Sequence, residues 1–347
     1  MAIRVGLVGY GFAGRGFHAY LIGLVPELQL VAVATRDAAR RAQAGADHGV
    51  ATYATLDDML EQGGVDLVVI ATPHDTHRDL ACRALDAGKH VVVDKVMALT
   101  AAEADAMIAA RDRAGTLLSV FQNRRWDGDY LTVRRALDAG WLGDPFLFES
   151  AVVNYRAPRG WRGDAAAGGG ILFDWGAHLI DQALQLVPGP VASVTCDIQY
   201  RGWGAAIGSY ARLLLRFANG VLYSIELGNL VRMETPRWRV LGERGALLKT
   251  GLDPQERAML AGDIGAAIEA AQDRAQIRTE LDGLMIALTI EGVRGDWTAY
   301  YRNVAAALAG TAPLAVLPEE ARRGLTILDA AMASARSGET VRLAEGR

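Results

Sequence analysis

The chain has 347 residues, 51% of them hydrophobic, with a formal net charge of -4 and a pI near 5.9. That length and apolar share can fill two cores, while the acidic balance excludes general electrostatic attraction to nucleic acid or an anionic membrane. The two cysteines, Cys82 and Cys196, stand outside any C-x-x-C pair and read as reduced residues of a cytoplasmic protein, which excludes a disulfide framework. The opening segment lacks the apolar length of a signal peptide, and no apolar run is long enough to cross a bilayer.

Ile3, Val5, Leu7 and Val8 predict a buried first strand, and Gly9-Tyr10-Gly11-Phe12-Ala13-Gly14 follows it without a spacer. This is G-x-G-x-x-G at a strand-to-helix turn, the arrangement that receives a dinucleotide. Gly9 permits the tight turn, Gly11 lets backbone approach a pyrophosphate, and Gly14 lets the helix beginning near Ala13 pack on the strand. Main-chain N–H groups at that helix start face an anion. The helix carries Phe17 to Val25 and stops at Pro26. Residues 28–34 form the second strand. At its end stand Thr35 and Arg36, where an acid would take the adenosine ribose hydroxyls of NAD. A guanidinium fork and a hydroxyl suit a 2′-phosphate instead, so NADP is favoured over NAD. Asp37 comes one residue late and reads as the cap of a helix over 38–44.

Residues 50–53 predict a short strand, and Thr55-Leu56-Asp57-Asp58 a capping box opening a helix that ends at Gly63-Gly64. The all-apolar run 67–70 and the run 90–93 read as parallel strands covered on both faces. After the first of these, residues 71–77 begin at a strand's carboxyl end, the edge on which ligands bind in open α/β sheets. Ala71, Thr72, Pro73, His74 and His77 are therefore candidate cofactor contacts. The two histidines lack the acid or thiol cluster of a metal site, and no metal is expected. Strand 90–93 delivers Asp94 and Lys95 to the same edge. A helix capped at Thr100 and a strand at 117–120 complete the alternation. Residues 1–122 are expected to form a doubly wound Rossmann domain with a parallel sheet.

These residues resemble the glucose-fructose oxidoreductase / inositol dehydrogenase / MocA (Gfo/Idh/MocA) family over essentially the whole chain. The family phrases A-T-P-x-x-x-H, A-G-K-H-V and E-K-P are met by residues 71–77, by 87–91 and by Asp94-Lys95-Val96. Gly14-Arg15-Gly16-Phe17-His18-Ala19 and Phe121-Gln122-Asn123-Arg124-Arg125-Trp126-Asp127 resemble in particular the branch holding NADP-dependent scyllo-inositol dehydrogenases. The resemblance implies an NAD(P)-dependent oxidoreductase acting on a secondary hydroxyl or ketone of a sugar, inositol or related polyol. Asp94 and Lys95 would then meet the cofactor, and Lys95 the substrate as well. The family's proline after the lysine helps fix the turn, often through a cis bond, and is Val96 here. This turn is expected either to be rebuilt in trans or to retain its strain.

The second half, 123–347, changes character. Residues 127–139 predict a helix closed by Gly140, and 146–155 a long strand. The polar, glycine-rich stretch 156–170 carries Trp161 and Arg162 and is suited to cover a cofactor or substrate. Gly168-Gly169-Gly170 leads into 171–181, where helical spacing sets Asp174, His178 and Asp181 at i, i+4 and i+7 on one face. The resemblance assigns catalysis to this D-x-x-x-H spacing together with the lysine. His178 is expected to take the hydroxyl proton, the Lys95 ammonium to stabilise developing charge on oxygen, and Asp174 to orient the imidazole or a neighbouring hydroxyl. Asn123, Tyr155 and Asp181 join Lys95, Asp174 and His178 as candidate substrate contacts, because a polyol needs several polar partners.

Beyond Pro188-Gly189-Pro190 the period changes to strands at 191–200, 211–217, 221–230 and 238–241, with Asn219-Gly220 a hairpin signal. Helices at 296–308 and 318–335 close the chain, the last expected to pack back on the first domain. This predicts a carboxy-terminal α+β domain with an open, mostly antiparallel sheet. One of its faces receives the Asp174 helix, and the other, as in the family, a second copy in a homodimer or homotetramer. Two rival functions stand beside the dehydrogenase: a cofactor-binding sensor or regulator without turnover, which Val96 favours, and a reductase of another carbonyl.

Overall fold

A computed structural model describes residues 2–203 and 206–344; Met1 and Arg347, the outer ends of the two expected domains, lie outside them. The chain divides into two units, Met1–Asn123 with Trp297–Leu325, and Arg124–Asp296 with Thr326–Arg347.

Six parallel strands form the sheet of the first unit: β1 (Ile3–Val8), β2 (Leu28–Ala34), β3 (Ala51–Tyr53), β4 (Leu67–Ile70), β5 (His90–Val93) and β6 (Leu118–Val120). Their order is β3-β2-β1-β4-β5-β6. Chain progress therefore reverses between β1 and β4, which makes the carboxyl ends of these two strands the switch point where doubly wound sheets bind ligands. β4 is buried along its whole length, as all-apolar strands under helices on both faces must be. The flanking helices start where side chains can take orphan N–H groups. Asp37 caps Ala38–His48 through the N–H groups of Ala39 and Arg40, Thr55 caps Leu56–Gln62, and Thr100 caps Ala101–Ala114. The returning segment brings the helix Thr298–Leu308 to this unit. There Tyr300 donates to Ser119 Oγ at 2.9 Å, and Ser119 donates to the Val316 carbonyl at 3.0 Å.

Nine strands form the sheet of the second unit. They are β7 (Pro145–Val153), β8 (Val191–Gln199), β9 (Tyr210–Phe217), β10 (Leu222–Gly228), β11 (Trp238–Gly242), β12 (Gly245–Lys249), β13 (Ala275–Leu281), β14 (Leu284–Ile290) and β15 (Val341–Arg342). They are ordered β14-β13-β12-β11-β7-β10-β9-β8-β15, and only the β7–β10 pairing is parallel. Asn219-Gly220 makes the β9–β10 hairpin, with Gly220 at φ +90° and the Asn219 side chain accepting from Val221 N–H. Strands β12 to β15 go beyond the four strands expected past Pro190. Cross-strand register separates two faces. Val194, Leu215, Tyr223, Phe148, Val240, Leu247 and Ile277 lie side by side on the buried one. Thr195, Leu214, Ser224, Glu149, Arg239 and Leu248 run across the more exposed one. Among the described residues, no helix is long and apolar enough to cross a membrane.

Candidate active site

The glycine turn is shaped by the switch point. β1 pairs with β4 in register Val8 to Ile70, so the residues that follow each strand meet. Gly9 has φ +94°, and a Cβ there would collide with the Ala71 carbonyl. A Cβ on Gly14 would collide with the Gly9 carbonyl, so the helix can start this close only with glycine in that place. Gly11 differs from both. Its Cβ would meet nothing nearer than Arg40 Nη1 at 3.6 Å, so the protein's own packing does not require a glycine there. A missing side chain that packing does not demand is what a pyrophosphate lying against the backbone would require. The helix opening after the turn contains one π-helical turn, Gly14–Ala19, a local widening frequent at functional sites.

Around this turn, Phe12 is half exposed and edges against Phe17. Tyr10 instead points inward: its ring is buried and its hydroxyl donates to Asp47 at 2.8 Å. Tyr10 can therefore offer a cofactor its main chain but not its phenol. At the end of β2, Arg36 is exposed and Thr35 half-buried. Arg41, which sequence reasoning passed over, donates from Nη1 to the carbonyls of both Thr35 and Arg36, at 2.6 and 2.9 Å.

At the ends of β4 and β5, Thr72 and Thr76 share a hydroxyl hydrogen bond of 2.6 Å, and Thr76 donates to the Pro73 carbonyl at 2.7 Å. His74 is buried, with its ring 5.6 Å from that of His77. His77, expected among the cofactor contacts, is fully buried with both ring nitrogens on main-chain carbonyls: Nδ1 is 2.8 Å from Val96 O and Nε2 3.0 Å from Thr72 O. Its side chain is thus committed to the protein. Burial pushes the imidazole below its usual pKa, opposed by Asp94 and by the carbonyls of Val96 and Thr72. Asp94 is buried, and its Oδ1 accepts the Lys95 N–H at 2.8 Å. Burial alone would raise this carboxyl, but His18, Lys95 and His77 override it and hold the group well below the usual carboxylate range. His18 lies 3.8 Å away, fully buried, with Nδ1 2.6 Å from the Tyr301 hydroxyl. Lys95 itself is half-buried, and the peptide joining it to Val96 is cis.

In the second unit a π-helical turn, Leu172–Gly176, runs directly into the α-helix Ala177–Leu186, and together they carry Asp174, His178 and Asp181. Asp174 is partly exposed and lies 3.3 Å from Arg162 Nε, while His178 is buried against the Trp175 ring. Asp181 is buried and takes both arms of the Arg125 fork, at 2.8 and 2.6 Å. Arg125 was legible only as part of a family phrase. Tyr155 is half exposed under the Arg232 guanidinium at 3.6 Å, and Trp161 lies 4.9 Å from Arg162. The loop carrying Trp161 and Arg162 is ordered by its own backbone. Gly169 and Gly170 donate to the Asp164 and Arg162 carbonyls, approaches that leave no room for a Cβ on Gly169. Asn123, at the end of the first unit, is buried. Among the described residues, no group of three or more His, Cys, Asp or Glu could hold a metal ion.

Residues 3–122 match an oxidoreductase family described by its NAD-binding Rossmann fold, and residues 130–248 match the GFO/IDH/MocA C-terminal domain. The chain is 36% identical over 349 residues to the uncharacterized oxidoreductase YdgJ of Escherichia coli (strain K12), with 99% of each chain covered. It is 31% identical over 350 residues to the scyllo-inositol 2-dehydrogenase (NADP(+)) IolW of Bacillus subtilis (strain 168), covering 98% of this chain and 96% of that one. Among solved structures, the yvaA protein of Bacillus subtilis superposes with a TM-score of 0.92 at 30% identity, over 99% of both chains.

Proposed function

The chain belongs to the Gfo/Idh/MocA family of NAD(P)-binding oxidoreductases, and we propose that it moves hydride between a nicotinamide dinucleotide, NADP by preference, and a secondary hydroxyl or ketone of a sugar, inositol or related polyol. The observation that carries this reading is the glycine turn at the β1–β4 switch point, with Gly11 bare although the protein's own packing does not require it. The dinucleotide supplies the redox chemistry, and the protein supplies placement and proton management.

In this proposal the main chain from Gly9 to Gly14 holds the pyrophosphate, Ala71, Thr72 and Pro73 flank the dinucleotide at the end of β4, and Trp161 with Arg162 covers it. Thr35 and Arg36 take the 2′-phosphate. Two facts support NADP over NAD. Asp37 already serves as a helix cap and lies 3.4 Å from Arg40, so the acid nearest the end of β2 is engaged. The relative IolW is named for NADP(+). His178 takes the hydroxyl proton during oxidation and returns it during reduction, the part an imidazole plays as general base and acid. The Lys95 ammonium stabilises charge developing on the substrate oxygen. Asp174 orients the imidazole or a neighbouring hydroxyl, and Asn123 and Tyr155 contact the polyol. A second copy covers the exposed face of the nine-stranded sheet.

The test is a panel of inositols, polyols and keto-sugars with NADPH, NADP, NADH and NAD, followed at the nicotinamide absorbance. Turnover of a polyol or its ketone is the expected result. Cofactor binding with no turnover of any substrate would replace this reading with that of a sensor.

A further inference from the structure

The proposed reaction leaves His77 without a role, although it sits in one of the motifs that carry the family resemblance. Its ring joins two turns of the first unit. Nδ1 meets the carbonyl of Val96, one residue past Lys95, and Nε2 meets the carbonyl of Thr72, one residue past the Ala71 carbonyl against which Gly9 packs. Thr72 is braced in turn by the Thr76 hydroxyl. A neutral imidazole carries one N–H and engages one carbonyl as donor; a protonated ring engages both. Burial favours the neutral ring, which donates to one of the two carbonyls and packs closely against the other, so removing it leaves at least one oxygen without its partner in a fully buried place, where an unmade hydrogen bond costs about 1–3 kcal/mol.

The residue before the lysine is held as well. Asp94 faces His18 at 3.8 Å and accepts the Lys95 N–H, while His18 is steadied by the Tyr301 hydroxyl. On the far side of Lys95, Val96 is thus held directly by the His77 ring, which also reaches the turn beside the glycines, whereas Asp94 only lies near His18.

We infer that His77 is a positioning residue for Lys95: through the Val96 carbonyl it ties the turn bearing the ammonium to the cofactor-side turn at Thr72. This rests on the catalytic role proposed for Lys95. Misplacement of a reacting group by about 1 Å costs on the order of 100-fold in rate, which is the size of effect at stake.

Two conservative variants separate the two arms of the ring. Asparagine places an amide nitrogen where Nδ1 stands and can keep the Val96 contact, whereas glutamine reaches toward the position of Nε2 and the Thr72 contact. His77→Asn, His77→Gln and His77→Phe in the full chain are compared for thermal melting, NADPH affinity, kcat and KM. His77→Phe is expected to lose about 100-fold in kcat with KM and NADPH affinity nearly kept. His77→Asn is expected to recover most of that loss, and His77→Gln little of it. Equal recovery by both, or a His77→Phe enzyme at full rate, overturns the inference. If the wild type turns over no substrate, the proposed function has failed, and the inference is read from Lys95 alone. Its acetylation rate by acetic anhydride, mapped by mass spectrometry, should change in His77→Phe and return in His77→Asn, and an unchanged rate overturns it.

Discussion

Asp37 lies 3.4 Å from the Arg40 guanidinium while its other oxygen accepts the N–H groups of Ala39 and Arg40. A carboxylate so engaged is poorly placed to receive ribose hydroxyls, and the exposed Arg36 beside it can meet a phosphate. Arg36→Ala is expected to weaken NADPH binding by about 10- to 100-fold, the worth of a charge-assisted hydrogen bond, with NADH binding little changed. Fluorescence titration with both cofactors measures it. Equal weakening of the two would remove Arg36 from 2′-phosphate recognition.

Gly11 and Gly14 should answer alanine differently. At Gly14 the new methyl strikes the Gly9 carbonyl, so Gly14→Ala should melt several degrees lower and bind no cofactor. At Gly11 the methyl meets only the tip of Arg40, so Gly11→Ala should melt near the wild type and still lose cofactor affinity. A Gly11→Ala protein with unimpaired NADPH affinity would show that the pyrophosphate does not lie there.

Lys95→Ala and His178→Ala are each expected to lose about 100- to 10,000-fold in kcat while NADPH affinity is nearly kept, the range of a positioned acid or base. Steady-state kinetics beside cofactor titration separates the two quantities. Full rate in either variant would strike that residue from the mechanism.

Asp181 should behave otherwise. Both of its oxygens bind the buried Arg125, so Asp181→Asn leaves a guanidinium partly uncompensated and should cost about 3–5 kcal/mol of stability. Denaturant unfolding measures this. A stable Asp181→Asn protein with raised KM would make the residue a substrate contact instead.

The buried imidazole of His77 has a pKa below its unfolded value, so the unfolded chain takes up that proton first as pH falls. Stability is expected to be complete above about pH 6.5 and to decline below it. His90, lowered by burial against the pull of Asp66, adds to the same decline. Asp94 contributes a second loss below about pH 4, because its folded carboxyl must be forced to accept a proton. Melting temperature followed from pH 8 to pH 4 should show less slope between pH 7 and 5 in His77→Phe, with the His90 share remaining. An identical slope would mean that His77 does not couple to folding there.

Sequence reading located β2, β4 and β5 to the residue, since all-apolar runs between capped helices leave little freedom in where a parallel strand starts or stops. It missed β13 and β14 although Asp282-Gly283 stands between two alternating runs, a hairpin signal as clear as Asn219-Gly220. The site was legible as motifs and not as contacts. His18 and Arg125 sit within recognised phrases, but their partners Tyr301 and Asp181 are chosen by tertiary packing, and Arg41 binds nearby main-chain carbonyls, which no side-chain pattern announces. A π-helical turn leaves no mark in hydrophobic period, so the wider winding at Asp174 could not be anticipated.

The aromatic lid that Trp297, Tyr300 and Tyr301 lay over Phe17, His18 and Phe121 is encoded far downstream of them, Tyr300 standing 181 residues after its partner Ser119. A nascent chain leaving the ribosome therefore carries an uncapped nucleotide half through most of translation, with Phe121 and Ser119 waiting for partners not yet made. Truncation after Asp296 is expected to give a protein that aggregates at 37 °C or is held by chaperones, however complete its glycine turn.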